Sequence, residues 1–417
     1  MVTSCSTTAS GTHVEGGPRL SPSAHGRTGA APVPWILPSR SALPLPVLGI
    51  LGGGQLGRMT ALAAARLGVP VRLLTDRASG PVAPFADVTV ADWTDPFVLQ
   101  GWAEGCAVVT VESEWAPADR LREVIPAHVA LRPSVPTLLA VRHKGRQRER
   151  LAAAGLPQPR YALAPTLSDA LAAAEAFGLP VVCKRFERSY DGYGNATCRT
   201  ADDVRGAWAE LAAEDGLLVE AFVPFEAEAA VTVARRADGE AAVYPVVRSE
   251  HRDHRLHAAT VPAGFSAEVE EDARRVARAT AEALDTTGVA TVELFVTPRG
   301  DVLVNEVAPR PHNTAHLTTD AHHTSQFENH VRAVLDLPLG DPSLRVPAAC
   351  MVNVLGDREG APEPDLAGAL SVPGASVHLY GKSSVRPTRK MGHVTVTADT
   401  TEAARERAEE AAAAVRL

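Results

Sequence analysis

The sequence has few of the features that mark secreted, membrane or nucleic-acid-binding proteins. Five cysteines in 417 residues are an odd number without metal-site spacing, so we expect reduced thiols and no disulfide framework. No apolar run approaches the roughly 18 residues that a membrane-spanning helix needs. The formal net charge of -8 has the opposite sign to that of most nucleic-acid-binding domains. We therefore expect a cytoplasmic protein without nucleic-acid or membrane partners.

What is present is an ordinary globular composition, with 45% hydrophobic and 22% charged residues. A chain of this length exceeds a single hydrophobic core, which favours roughly two to four domains. Residues 1–45 differ from the rest, because they are rich in Ser, Thr, Gly, Pro and Ala and show neither helical nor strand periodicity. Prolines interrupt their apolar stretch, so no signal peptide is expected. We predict a disordered tail over residues 1–45.

A glycine-rich segment follows the tail. The stretch ILGGGQLGRM, residues 50–59, spells G-x-G-x-x-G with Gly52, Gly54 and Gly57, and Asp76 closes the next predicted strand. A strand, a glycine-rich turn and a helix, followed by an acidic residue at the end of the next strand, are typical of dinucleotide-binding folds. An NAD-dependent oxidoreductase is therefore one interpretation. Strands and helices alternate to about residue 130, which predicts a parallel sheet with crossover helices.

The pattern changes after residue 130. The stretch TLLAVRHKGRQRERLAAAGLP, residues 137–157, predicts one long helix that ends at Gly155 and Pro157. Further helices and strands follow, and short strands dominate from Val346 until a closing helix. Cys183, within LPVVCKRF, is interpreted as a small core residue in preference to a nucleophile.

A predicted hairpin carries the most informative acidic residues. In VELFVTPRGDVLVNEV, residues 292–307, a turn between Arg299 and Gly300 places Glu293 directly opposite Glu306. Two facing carboxylates repel each other, and a divalent cation with oxygen ligands compensates that repulsion. The alternative is that both side chains point into water. Asn305 lies on the opposite face or at the rim, from which it can still reach an oxygen-rich site.

Two lysines accompany this hairpin. Lys144 lies on a predicted helix, and Lys184 ends a strand just before the glycine-containing loop SYDGYGN. A lysine at a strand end can neutralise a phosphate while loop N–H groups close over it, although a solvated lysine is the alternative. The stretch LLVEAFVPFE, residues 217–226, resembles a hinge that pairs with an adenine edge, with Glu228 placed to accept from ribose hydroxyls. A plain strand–turn–strand is the alternative there.

Together these segments resemble ATP-grasp ligases, and more narrowly the carboxyaminoimidazole ribonucleotide synthase family of purine biosynthesis. The resemblance runs in order over about residues 46–400 and is carried by GILGGGQLGRM, VVTVESEWAP, YDGYGN, the segment beginning VNEVAPRPHN, and HLYGKSSVRPTRKMGHVTV. It implies an α/β (α+β) ATP-grasp fold. The implied parts are a Rossmann-like pre-ATP-grasp domain at 46–130, an ATP-grasp domain at 131–345 with a lid at about 160–225, and a small β-rich domain at 346–417.

The resemblance also implies an activity. That family uses ATP and Mg²⁺, for which Mn²⁺ can substitute, to convert bicarbonate into carboxyphosphate. The exocyclic amine of aminoimidazole ribonucleotide then takes the carboxyl group. The implied partners are therefore small molecules, namely a carboxylate such as bicarbonate, an amine and a phosphorylated ribonucleotide, and the implied assembly is a homodimer. In such a protein the glycine-rich turn borders the substrate pocket and does not hold NAD.

Site residues follow from the resemblance by position. The residues expected at ATP are Lys144 and Lys184 at the phosphates, the flap Ser189, Tyr190, Asp191, Gly192, Tyr193, Gly194 and Asn195, the adenine hinge Glu220, Ala221, Phe222 and Val223, and Glu228 and His251. The residues expected at magnesium are Glu293 and Glu306, with Asn305 beside them. The residues expected to act on the reacting groups are Arg310, His312, Asn313, Tyr190 and His251. The residues expected at the ribonucleotide are Gln55, Glu112, Lys382, Arg386 and Arg389.

Several positions depart from the family pattern. Tyr193 replaces a basic flap residue, Trp115 replaces an asparagine, and residues 248–254 retain His251 but lack the family's acid–amide pair. These changes lie near the expected reactive centre. Two interpretations follow: a synthase with compensating changes, or a diverged ligase that joins another carboxylate to another amine.

Overall fold

The computed structural model describes residues 45–76, 80–82, 85–187, 194–211 and 215–417. The predicted tail, apart from Leu45, and five of the predicted flap positions, residues 189–193, lie outside this described part. Among the helices that are described, none combines the length and apolar character needed to cross a membrane.

Five parallel strands form the first sheet. In chain order they are β1 Leu48–Leu51, β2 Val71–Thr75, β3 Asp87–Val90, β4 Val108–Val111 and β5 Ala130–Leu131. The helices α1 Gln55–Arg66, α2 Pro96–Ala103 and α3 Ala118–Val124 connect them. The spatial order β3-β2-β1-β4-β5 reverses between β1 and β4, and both of these strands are buried along their whole length. Ligands bind at such reversal points of parallel sheets, at the carboxyl ends of the strands.

The predicted long helix is wrong in one respect, since the structure divides it at His143. Helix α4 spans Val135–Arg142 and α5 spans Lys144–Ala153, with φ -104° and ψ 105° at His143 between them. The His143 imidazole accepts a hydrogen bond from the N–H of Arg146 and so caps α5. The N–H of Lys144 donates to the carbonyl of Phe186 at 2.8 Å. The break therefore places Lys144 in the first turn of α5, beside the next sheet.

A four-stranded antiparallel sheet follows. Its strands are β6 Tyr161–Ala164, β7 Val181–Arg185, β8 Asn195–Cys198 and β9 Leu217–Ala221, in the order β6-β9-β7-β8, and its helices are α6 Leu167–Phe177 and α7 Ala201–Leu211. Thr166 and Asp169 form a reciprocal capping box at the start of α6. Cys183 is fully buried in the core of this sheet, and burial raises the pKa of its thiol to about 12. Its interpretation as a core residue agrees with this position.

A nine-stranded antiparallel sheet forms the remainder. Its strands are β10 Ala227–Arg235, β11 Ala241–Val243, β12 Val247–Arg252, β13 Arg255–Val261, β14 Gly288–Val296, β15 Val302–Ala308, β16 Ala348–Leu355, β17 Ala375–Leu379 and β18 Lys390–Ala398. The order is β15-β14-β10-β12-β13-β16-β18-β17, with β11 beside β10. The helices are α8 Ala267–Ala283, α9 Thr318–Ala321, α10 Gln326–Val334, α11 Ala367–Leu370 and α12 Thr401–Ala414. The C-terminal strands therefore continue the central sheet through the pairing of β13 with β16.

One histidine links the first sheet to the central sheet. His330 on α10 accepts a hydrogen bond at Nδ1 from the N–H of Val289 on β14, and its Nε2 lies 2.9 Å from Oγ1 of Thr110 on β4. Because Nδ1 accepts, Nε2 carries the proton and donates to Thr110. Burial lowers the pKa of His330 to about 4, so the imidazole is neutral at neutral pH.

Candidate active site

A cleft of about 1070 Å³ lies between the three sheets. Most of the expected site residues that the structure describes line it together: Gln55, Glu112, Lys184, Asn195, Glu220, Ala221, Phe222, Val223, Glu228, His251, Glu293, Asn305, Glu306, Arg310, His312 and Asn313. The strands and loops that carry them are far apart in the sequence. The fold thus brings the acidic hairpin, the lid lysine and the RPHN segment to one place.

Positive charge gathers at the end of the cleft lined by the β6–β9 sheet. The Lys184 ammonium lies 2.7 Å from Oε2 of Glu220 and donates to Oδ1 of Asn305 at 3.3 Å. Burial raises the pKa of Glu220, but Arg148 and Lys184 outweigh that effect and bring it to about 2. Two cations against one carboxylate leave this end with a surplus of positive charge.

The acidic hairpin faces the same cleft. The β14–β15 register pairs Glu293 with Glu306 as predicted, but the turn is not centred between Arg299 and Gly300: Val296 pairs with Val302, and the register shifts by one residue between Glu293 and Leu294. Burial raises the pKa of Glu293, and the adjacent charge of Glu306 raises it further. Lys144 donates to Oε1 of Glu306 and forms an ion pair with it. Two half-buried carboxylates, of which Glu306 is paired with an ammonium, form a site at which a further cation relieves the repulsion.

Magnesium fits this donor set. Within the described ranges, no group of three or more His, Cys, Asp or Glu side chains is arranged to hold a metal ion. Mg²⁺ is commonly held by only one or two carboxylates together with substrate phosphates and water. Glu293 and Glu306 meet that requirement. Two carboxylates are too few for a metal site whose ligands all come from the protein.

A hydrogen-bonded pair lies beside the acidic hairpin. Nδ1 of His251 lies 2.8 Å from Oε2 of Glu228, and both side chains are about one-quarter exposed. Burial lowers the pKa of His251, but the bond to Glu228 outweighs it and the net shift is upward. The two side chains sit on neighbouring strands β12 and β10 and line the cleft.

The RPHN segment, residues 310–313, supplies a planar cation, the guanidinium of Arg310. Arg310 donates from Nε to Oε2 of Glu114 at 2.6 Å and from a terminal nitrogen to Oε1 at 3.0 Å. Burial raises the pKa of Glu114, but Arg310 outweighs it, so the carboxylate stays charged. This two-bond geometry fixes the plane of the guanidinium beside the cleft.

His312 and Asn313 follow directly. Burial lowers the pKa of His312 well below its usual range, and the charge of Arg310 adds to the shift. Its Nε2 lies 3.4 Å from Oε1 of Glu293. Both polar side-chain atoms of Asn313 are buried and have no hydrogen-bond partner among the residues described. An unpaired buried amide that lines a cleft is costly unless a ligand satisfies it.

The glycine-rich turn holds a carboxylate of this chain itself. Glu112, at the end of β4, accepts from the N–H of Gly54 at 2.7 Å and from that of Gly57 at 2.9 Å. A Cβ at Gly52 would lie 2.3 Å from Cγ of Glu112. The N–H groups that a dinucleotide pyrophosphate would need are therefore taken by Glu112, which removes the basis of the NAD interpretation.

Three expected ribonucleotide ligands lie in the segment before β18 and do not line the cleft. Lys382 donates to the carbonyl of Lys390 at 2.6 Å. Its positive charge lowers the pKa of Glu112 and partly offsets the rise caused by burial. Arg389 donates to Ser384. Arg386 belongs to the same segment, and Lys390, the first residue of β18, is a basic residue near it in the sequence that does line the cleft.

The sequence pattern did not indicate three residues of the site. Glu114 and Lys390 line the cleft, and Arg148 contacts Glu220, which lines it. Trp115, one of the positions that depart from the family pattern, also lines the cleft. The spacing of Lys144 and Arg148, four residues apart on one helix, indicates a shared face and could have pointed to Arg148. Glu114 stands two residues after Glu112, which is a weak signal without the fold.

Known proteins show the same organisation. Three family models match: a ribonucleotide synthetase preATP-grasp domain over residues 45–142, an ATP-grasp domain over residues 149–327, and a phosphoribosylaminoimidazole carboxylase C-terminal domain over residues 349–407. The N5-carboxyaminoimidazole ribonucleotide synthase of Synechococcus elongatus is 36% identical over 357 residues, which cover 85% of this chain and 90% of that protein. The chain belongs to the N5-carboxyaminoimidazole ribonucleotide synthase family.

Two further relatives extend the comparison. The chloroplastic phosphoribosylaminoimidazole carboxylase of Vigna aconitifolia is 37% identical, with coverage of 84% of this chain but only 64% of the plant protein. The chain thus spans slightly less than two thirds of that relative's length. A crystal structure of the synthase from Aspergillus clavatus contains ADP and 5-aminoimidazole ribonucleotide. It superposes on this chain with a TM-score of 0.79 at 32% identity, and the match covers 87% of this chain and 96% of the Aspergillus chain. The expected synthase fold, ATP-grasp with a parallel N-terminal sheet and a β-rich C-terminal part, is confirmed.

Proposed function

We propose that this chain carboxylates the exocyclic amine of aminoimidazole ribonucleotide, using ATP and bicarbonate through carboxyphosphate. The observation that carries the proposal is the shared cleft, in which Glu293 and Glu306 face each other across the hairpin while Lys184 and Arg310 line the same cavity. The relative from Aspergillus clavatus, solved with ADP and 5-aminoimidazole ribonucleotide, supports the choice of substrates.

The lid end of the cleft suits the phosphates of ATP. Phosphoryl transfer needs cations around the transferred group and an aligned nucleophile, and it needs little covalent help from the protein. Lys184 lines the cleft with surplus positive charge behind it, and Lys144 contributes a second ammonium beside Glu306. Magnesium, when bound by Glu293 and Glu306, would neutralise charge on the phosphate oxygens. We further propose that Glu228 accepts from the ribose and that residues 220–223 meet the adenine.

The RPHN end suits a planar anion. Glu114 fixes the guanidinium of Arg310 through two hydrogen bonds, and a guanidinium matches the geometry of bicarbonate and carboxyphosphate. Asn313 offers an unpaired amide in the same wall. In the first step a bicarbonate oxygen forms a bond to the γ-phosphorus and ADP leaves. In the second step the amine nitrogen bonds to the carboxyl carbon, the C–O bond to phosphate breaks, and the departing phosphate takes up the proton that the amine loses.

Carboxyphosphate hydrolyses readily, so the cleft must exclude water while the amine attacks. Residues of the β6–β9 sheet line the cleft, and Trp115 adds an apolar side chain to the same wall as Gln55 and Glu112. We propose that Gln55 and Glu112 meet the ribonucleotide, and that Lys382, Arg386 and Arg389 approach its phosphate from the segment before β18. This last assignment requires these three side chains to turn toward the cleft when the ribonucleotide binds.

A second candidate function rests on Trp115. An indole lines the acceptor end where the family pattern has an asparagine. A diverged ligase that joins another carboxylate to another amine would use the same phosphate and metal residues. The two candidates differ only in donor and acceptor.

An ADP-release assay on the full chain separates the two candidates. Bicarbonate and a panel of amino acids serve as donors, and aminoimidazole ribonucleotide and simple amines serve as acceptors, with bicarbonate-depleted buffer as the control. The synthase proposal expects ADP release only with bicarbonate plus the imidazole nucleotide. Release with an amino acid and another amine would favour the diverged ligase. No release with any pair would contradict both proposals.

We also propose a homodimer that acts in the cytoplasm, as the family resemblance implies. Light scattering coupled to size-exclusion chromatography measures the mass directly. A species near twice the 43.8 kDa of the chain is expected, and a monomer across the working concentration range would contradict it.

A further inference from the structure

Arg148 is a fully buried arginine that does not line the cleft. Only 2% of its surface is exposed, and it is among the largest fully buried side chains of the described residues. A buried guanidinium is destabilising unless acceptors satisfy its donors. Its contacts therefore show what its charge is used for.

The guanidinium of Arg148 joins three elements. Its Nε lies 2.5 Å from Oε1 of Glu220 on the lid strand β9. Its two terminal nitrogens donate at 2.8 Å to the carbonyls of Val304 and Asn305 on β15. One side chain on α5 thus bonds to both the lid sheet and the central hairpin.

The partners of Arg148 lead to Lys184. The second oxygen of Glu220 lies 2.7 Å from the Lys184 ammonium, which also donates to the side chain of Asn305 at 3.3 Å. The contacts close a ring, because Asn305 meets Lys184 through its amide oxygen and Arg148 through its backbone carbonyl. Lys184 is thereby held from two sides, and both holding groups are fixed by Arg148.

The charges in this ring are unequal. Arg148 and Lys184 carry two positive charges and Glu220 carries one negative charge, all with 9% exposure or less. Of the two cations, Lys184 reaches the cleft. The surplus charge is therefore presented to an anion in the cleft through Lys184.

We propose that Arg148 is a positioning residue that fixes the Lys184 ammonium at the nucleotide end of the cleft through Glu220 and the backbone of Asn305. The proposal rests on the proposed function, since the anion is taken to be the phosphate chain of ATP. The three acceptors on β9 and β15, with Gln158 as a fourth at 3.4 Å, require the fork of a guanidinium, and the single ammonium of a lysine cannot reach all of them.

Binding of ATP with Mg²⁺, measured by calorimetry on the full chain without bicarbonate, tests the proposal. The variants are Arg148→Lys, Lys184→Met and the double variant, and Arg150→Met is the matched control because Arg150 is exposed on the same helix. We expect Arg148→Lys to weaken ATP binding about tenfold in the wild-type background, but less than about twofold in the Lys184→Met background. Arg150→Met is expected to bind like the wild type.

Non-additivity separates positioning from general stability. If Arg148→Lys weakens ATP binding equally in both backgrounds, or not at all in the wild type, the positioning role is overturned. Melting temperatures of all variants are also measured. If Arg148 only stabilised the fold, Arg148→Lys would lower the melting temperature by the same amount in both backgrounds, and its effect on ATP binding would not depend on Lys184. Arg148→Met removes the charge altogether and is included if it folds. If it does not fold, the test rests on Arg148→Lys. A wild type that binds no ATP would instead overturn the proposed function itself.

Discussion

The carboxylate of Glu112 lies 2.7 Å from the backbone nitrogen of Gly54 and accepts its hydrogen bond. Its other oxygen accepts from Gly57, so a carboxylate of the chain occupies the N-terminus of α1, where a dinucleotide fold would bind pyrophosphate. Burial raises the pKa of Glu112, and the two N–H donors counteract that rise. The glycines of this turn are therefore needed to admit an internal side chain.

Gly52→Ala is expected to destabilise the protein. Gly52 has φ +113°, and an added Cβ would meet Cγ of Glu112 at 2.3 Å. Backbone strain and overpacking together predict a loss of roughly 2–4 kcal/mol in unfolding free energy, measured by urea denaturation.

Gly101→Ala is the matched control for this substitution. Gly101 lies within α2, and an added Cβ there has no neighbour within 4 Å. A gain of about 0.5–1 kcal/mol is expected, because alanine favours helix. Equal effects of the two substitutions would refute the role assigned to the turn.

Glu306→Gln is expected to lower turnover by about a hundredfold or more, since it removes one of two carboxylates proposed for magnesium and the partner of Lys144. The initial rate is measured across a magnesium titration. Asp301→Asn serves as the control, because Asp301 is an exposed acid in the turn of the same hairpin. Near-normal rates for Glu306→Gln at limiting magnesium would show that the hairpin does not hold the metal.

Trp115 is expected to report on the acceptor. Its indole is half-buried and lines the same cleft as Gln55 and Glu112, so a heterocycle bound in that cleft should change its fluorescence. Aminoimidazole ribonucleotide is titrated into the wild type, Trp115→Phe and Trp208→Phe. Most of the change should vanish in the first variant and persist in the second. A full signal in Trp115→Phe would place the acceptor elsewhere.

Stability should fall as the pH drops from about 6.5 to 4, in part because of His330. Its pKa is about 4 in the folded protein and 6.5 ordinarily, so only the unfolded chain takes up the proton in this interval. Above pH 6.5 the residue is neutral in both states and contributes no slope. One such group contributes up to about 1.4 kcal/mol per pH unit.

His330→Gln should remove about that much slope from a series of urea denaturations at different pH values. Other buried histidines keep the remaining slope, since the pKa values of His316 and His322 are also lowered by burial. The exposed His323 provides the control substitution His323→Gln. An unchanged slope in His330→Gln would contradict the neutral, buried assignment.

The sequence was most informative where local pattern and chemistry coincide. The pairing of Glu293 with Glu306 was predicted correctly, but the register of the turn was not: Val296 pairs with Val302 beside the turn, and a register shift between Glu293 and Leu294 restores the expected pair. The break at His143 could not, because the carbonyl that bonds the next residue belongs to Phe186, far along the chain. The same holds for Arg148, because Glu220 and Asn305 lie 72 and 157 residues away and only Gln158, at 3.4 Å, is a nearby partner in the sequence among the described contacts.

Sheet continuity was also beyond local pattern. The sequence pattern predicts a separate β-rich domain for the C-terminal strands. In the structure β16 pairs with the edge of β13 and extends the central sheet. Pairing between distant strand edges leaves no periodic signal. The domain limits at 130 and 345, and the roles assigned to individual site residues, stay predictions.

The central claim is that bicarbonate is activated by ATP in the cleft that holds the Glu293–Glu306 pair. Bicarbonate labelled with ¹⁸O tests it most directly, in short incubations with ATP and aminoimidazole ribonucleotide. Attack of bicarbonate on the γ-phosphorus predicts one ¹⁸O atom in each inorganic phosphate released, measured by mass spectrometry. Phosphate that carries no label during turnover would contradict the account.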